Sequence, residues 1–170
     1  EAARGFAALS AIEDEVGARP YLGWLAVAQA EAAVWQADPR GALDRVMTLL
    51  DAGELPRADA SVASLAALGL RAAADLLETA TGRSDGSIET ARAAARRIQD
   101  LVRRLRSAEL LSPPDLPTPP PIPTPPGQGA EADLIAAEAS RLRARPDPGP
   151  WRATVAAAQA EGRVHLVAYA

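Results

Sequence analysis

Alanine constrains this chain more than any other residue. It fills about a quarter of the 170 positions, and it is the best intrinsic helix former. Leu, Arg, Glu and Gln rank close behind and supply much of the remainder. β-branched residues never gather into the alternating runs that a half-buried strand needs. Summed propensity therefore predicts helix nearly everywhere outside one segment. Alanine faces let helices approach closely, so the expected core is thin, with many small contacts and a few large anchors.

The exception is Ser112–Gly129, SPPDLPTPPPIPTPPGQG, which holds nine of the fifteen prolines. Proline removes backbone donors and clashes with the preceding turn, so this composition excludes helix and favours polyproline II. It divides the chain into a first helical part (1–111), a Pro-rich linker or excursion (112–129) and a second helical part (130–170). The tract reads as a spacer. Its P-x-x-P matches, such as Pro117–Pro120 and Pro123–Pro126, leave a ligand for an aromatic groove as the alternative.

Helix boundaries follow from capping residues and apolar spacing. A first helix is predicted over about 2–16, with Phe6, Leu9 and Ile12 as its stripe, ended by Gly17 and Arg19-Pro20. Its terminal run Glu13-Asp14-Glu15 reads as a solvated face and not as an acid/base pair. The next helix spans about 20–36. Tyr21, Trp24, Leu25, Ala28, Ala32 and Trp35 share one face, yet Val27, Ala30 and Val34 make the other side apolar too. Such a helix must be covered on both sides, and Trp24 and Trp35 are expected as core anchors and not as a ligand cage. Asp38-Pro39 combines an N-cap with a first-turn proline and opens a helix carrying Leu43, Val46, Met47 and Leu50 inward, up to Gly53. A further pair follows over about 59–80, with Val62, Leu65, Gly69, Ala72 and Leu76 inward, and about 85–110. A third runs over 130–144 and 148–161, closed by Gly162, and another helix begins near Val164. Connections of a few residues make paired helices antiparallel. The predicted fold is all-α: antiparallel helix pairs stacked as an irregular α-solenoid segment that resembles tetratricopeptide repeats, with small Ala30 and Ala42 where paired helices approach.

Chemistry is sparse. The chain lacks Cys and has one His, His165, so Cys–His dyads and His/Cys zinc clusters cannot form. A Ser–His–Asp triad would need His165, which reads instead as a partly buried histidine in a short helix. No P-loop or dinucleotide-binding glycine pattern occurs, and lysine is absent. The fragment is expected to be non-catalytic, with no cofactor or metal of its own. A net charge of −4 gives no general attraction to nucleic acid or an anionic membrane. No apolar run reaches membrane-spanning length. Absent cysteine agrees with a cytoplasmic setting. The Arg-only, Ala-rich composition matches codon bias in a high-GC genome. The N-terminus lacks an initiator Met, and the last helix stops without a cap, as in a piece of a longer protein.

One charged feature stands out in the helix over 85–110. Arg92, Arg96, Arg103 and Arg106 fall on one side, Arg97 and Arg104 on a neighbouring row, and Ala91, Ala94, Ile98, Leu101, Val102 and Leu105 opposite. The plain reading is a solvated face paired partly with Glu89 and Asp100. The alternative is a face for a protein or an anionic ligand, since guanidinium suits bidentate carboxylate and phosphate contacts. Direct nucleic-acid binding lacks the interleaved aromatics it would use.

The stretch DPGPWRATVAAAQAEGRVHLVAYA (147–170) resembles a recurrent sequence in the helical-repeat region of large ATP-dependent LuxR-type transcriptional regulators. YLGWLAVAQAEAAVWQADPRGALD (21–44) is similar in character. The resemblance implies a repeat array lying between an ATP-binding P-loop domain and a DNA-binding helix-turn-helix, both in other parts of the parent protein. It implies a module that senses a protein, peptide or small-molecule effector, with DNA contacted only through the separate domain. Asp147, Trp151 and Arg152 match a structural motif of that family, and no functional residue carries over. The competing reading is a structural scaffold or spacer in an unrelated multidomain protein.

Overall fold

The computed structural model describes residues 22–52, 61–79, 86–110, 128–143 and 147–170. Seven helices lie in these residues: α1 (Leu22–Trp35), α2 (Pro39–Ala52), α3 (Ser61–Thr79), α4 (Gly86–Leu110), α5 (Gln128–Arg141), α6 (Pro148–Ala160) and α7 (Val164–Tyr169). Among the described residues the protein is all-α. The expected helix over 2–16 and the polyproline reading of the tract lie outside the described residues, except that Gln128 and Gly129 already belong to α5.

The caps act as the sequence requires. Asp38 accepts a hydrogen bond from the Gly41 backbone N–H through Oδ1 at 2.9 Å, and Asp147 accepts one from Gly149 N–H at 2.9 Å. Both satisfy otherwise orphaned first-turn donors. The helices α1 and α6 end alike. Asp38 N–H reaches back to Ala33 O and Ala37 N–H to Val34 O; Arg163 N–H reaches Ala158 O and Gly162 N–H reaches Gln159 O. This paired six-to-one and five-to-two pattern needs a left-handed residue at its centre. Gly162 supplies it at φ +69°, whereas Ala37 holds φ +56° with a β-carbon.

Each predicted pair packs within itself, α1 on α2, α3 on α4 and α5 on α6, and α3 also packs on α1, α2 and α5. The first helices of the three pairs, α1, α3 and α5, thus form a row with α3 in the middle. Alanines fill most of the core beside Leu43, Val46, Leu65, Leu70 and Ile98. A β-carbon on Gly69 would lie 2.7 Å from Ile98 Cδ1 and 2.9 Å from Val46 Cγ1. Close approach of α2, α3 and α4 depends on that missing carbon.

Two expectations are overturned. Trp24 and Trp35 are not core anchors: they are 50% and 82% exposed. The buried face of α1 is Val27, Ala30 and Ala33. With apolar residues all round α1, periodicity could not choose a face. Packing chose the small side, because α1 lies against α2 and the Ala-rich surface of α3, where an indole would hold the helices apart. His165, expected to be partly buried, is exposed. Leu166 takes the inward position of α7 instead.

Candidate functional site

The row of α1, α3 and α5 leaves a groove of about 590 Å³, lined also by residues of α7. Its apolar surface comes from Val34, Ala67, Leu68, Leu134 and Leu166, and Trp35 and Glu31 stand one helical turn apart on the α1 wall. Ionic side chains line the opposite wall in two clusters.

At the first cluster, Glu138 of α5 is 1% exposed. Its Oε1 accepts a hydrogen bond from the Tyr169 hydroxyl, and its Oε2 accepts one from Arg141 Nη1 at 3.1 Å. Arg141 also donates to Asp75 at 2.7 Å and to Glu78 at 2.8 Å, joining α5 to α3. The Arg71 guanidinium sits 4.0 Å from the centre of the Tyr169 ring, and Trp151 meets the same ring edge-on at 5.9 Å. Burial pushes the Glu138 carboxyl above its ordinary value, against the lowering effect of Tyr169 and Arg141. Burial, then the neighbouring Glu138 charge, raises the Tyr169 hydroxyl as well. For Arg141 burial works the other way, but hydrogen bonds to Glu78 and Asp75 outweigh it and hold the guanidinium charged. Every member is satisfied, so the cluster fixes α7 against α3 and α5.

At the second cluster, Arg163 bridges Glu131 at 3.1 Å and Glu161 at 3.8 Å. Ser64 donates to Glu131 at 3.0 Å, and the Ala130 N–H donates to Glu161 Oε1 at 3.1 Å. The ionic residues of this wall are engaged with one another. Among the described residues Glu31 and Trp35, facing them, make no such contact. The groove can therefore offer a ligand an apolar bed, an indole face and one carboxylate without dismantling its supports.

The predicted arginine face is divided. Arg92, Arg96 and Arg103 line a second, larger cleft of about 1060 Å³ between α3, α4 and α5. Arg97 turns to α2, where it pairs with Asp51 at 2.7 Å. Arg104 is exposed outside the cleft, and the Arg106 side chain lies outside the described residues. The expected pairings of Arg96 with Glu89, at 3.2 Å, and of Arg103 with Asp100 are present. Sequence reasoning missed Arg71, Glu131, Glu138, Arg141 and Tyr169. The available signal was a charged residue inside an otherwise apolar helical stripe, as at Arg71 in α3 and Glu138 in α5.

Among the described residues no group of three or more His, Cys, Asp or Glu side chains could hold a metal ion. No helix there is long and apolar enough to cross a membrane. Comparison with protein families, with curated proteins and with solved structures finds no match to the chain.

Proposed function

We propose that this chain is a non-catalytic helical-repeat module that binds a protein, peptide or small-molecule effector along the row of α1, α3 and α5. The observation that carries the reading is the groove itself. It is lined by ionic side chains engaged with one another and faced by an indole that is 82% exposed, which is unusual for a side chain so large and apolar. In an α-solenoid the first helices of successive pairs line one continuous surface suited to ligands, and the row corresponds to that surface. The sequence resemblance supplies the setting: the sensing array of a cytoplasmic LuxR-type regulator, with ATP and DNA handled by other domains.

Replacing Trp35 with Ala and Glu31 with Arg in the intact regulator tests the reading. Effector-dependent transcription should be lost while helicity and thermal unfolding stay unchanged. An unaltered response would remove the groove from the account. The coding sequence on either side tests the setting: a Walker motif upstream and a helix-turn-helix downstream support it. Their absence from both flanks favours the scaffold or spacer instead.

A further inference from the structure

We propose that the cleft between α3, α4 and α5 is a second docking surface, separate from the row groove, for an acidic amphipathic segment of a partner protein. Among the described residues five guanidiniums line it, from Arg92, Arg96, Arg103, Arg141 and Arg143, and one carboxylate, that of Glu78. Arg141 is paired with Glu78, Asp75 and Glu138, Arg96 with Glu89, and Arg103 with Asp100. Arg92 and Arg143 have no carboxylate partner among the described residues, and both are exposed. The uncompensated guanidiniums of the cleft are therefore those of Arg92, on α4, and Arg143, just past α5, and these two attract acidic groups.

The placement of the charges selects among anions. Arg92, Arg96 and Arg103 extend over twelve residues of α4, about 16 Å from first to last at 1.5 Å per residue. Between the two ranks of arginine lies an apolar floor that includes Leu77, Ile88, Val102, Ile135 and Leu142. A single-headed acyl anion needs cations at one end of a tunnel, whereas here they run along the cleft. A nucleic-acid strand would use aromatic stacking platforms, and among the described residues the lining has none. A helix with one apolar stripe flanked by Asp or Glu meets both features at once, the floor and the rows of guanidinium. The helices α4 and α5 scarcely touch each other, so the cleft is present before any partner arrives.

The test is fluorescence anisotropy with the full chain and a labelled 18-residue helical peptide bearing a Leu stripe flanked by Glu. Its twin with Gln for Glu, an 18-nucleotide oligo(dT) and dodecanoate serve as competitors. The acidic peptide should bind saturably, about tenfold or more tighter than its neutral twin, and weaken with added salt. Arg92→Glu should lower affinity about tenfold, while Arg104→Glu, the same charge change outside the cleft, should alter it less than about twofold. Circular dichroism should show both variants folded. Equal binding of the twins, equal effects of the two reversals, or no binding would overturn the proposal. Full displacement by dodecanoate would assign the cleft to an acyl anion, and tighter binding of oligo(dT) to nucleic acid. Binding only after residues 113–126 are replaced by a Gly/Ser linker would assign it to the chain's own segment. Each of those results also overturns it.

Discussion

Ala37 and Gly162 occupy the same position of the same helix-ending motif, and only one of them suits it. A left-handed backbone costs an L-residue with a β-carbon about 1–2 kcal/mol; part of that is offset because alanine restricts the unfolded chain more than glycine does. Ala37→Gly should therefore stabilise the protein by about 0.5–1 kcal/mol, and Gly162→Ala should destabilise it by about the same amount. Urea unfolding of both variants checks the pair. Equal signs would mean that the two turns differ from the hydrogen-bonding pattern seen here. Trp35 gives a second residue-scale outcome. As an exposed indole its truncation should change stability by less than about 0.5 kcal/mol, where Leu70→Ala in the core should cost about 2–5 kcal/mol. A loss above about 3 kcal/mol for Trp35→Ala would restore the anchor role that the sequence suggested. The caps at Asp38 and Asp147 were legible because a cap is a local chemical device. The exposure of Trp35 was not, because it depends on which neighbour α1 meets.

At the scale of elements, the helix α7 has six residues and one buried side chain, Leu166. Isolated helices this short do not persist in water, so its place is set by tertiary contacts, chiefly Tyr169 against Glu138, Arg71 and Trp151. Burial raises the Glu138 pKa above its ordinary 4.5 in the folded state. The native protein then holds that proton more tightly than the unfolded chain. The associated stability is fully present below the unfolded pKa and is lost as pH rises from about 4.5 through the folded value. Glu138→Gln removes the titrating group, so its stability should fall less over that interval than the parent's. Denaturant midpoints measured at a series of pH values decide it, and parallel profiles would show that Glu138 does not titrate differently on folding. Helix existence and stripes were readable from spacing: of the predicted stripe, Val62, Leu65, Gly69 and Ala72 are buried and Leu76 is half-buried. The ionic ties between α3 and α5 were not readable. Asp75 and Arg141 are 66 positions apart, and no local pattern links them.

At the scale of the molecule, α3 organises the packing. It packs against α1, α2, α4 and α5, and through it the row holds one preformed surface with α7 attached at the end. The arginine cleft exists for the same reason: α4 and α5 both pack on α3 while standing apart from each other. Sequence pattern gave the three helix pairs and their order. Which helices become neighbours across pairs depends on where alanines and Gly69 permit close approach, a property of two surfaces and not of one. Native-state hydrogen exchange measures this arrangement directly. The central amides of α3 should exchange only through global unfolding and form the slowest class, while the amides of α7 exchange faster through local opening. Amides of α3 exchanging as fast as those of α7 would contradict a surface organised around α3.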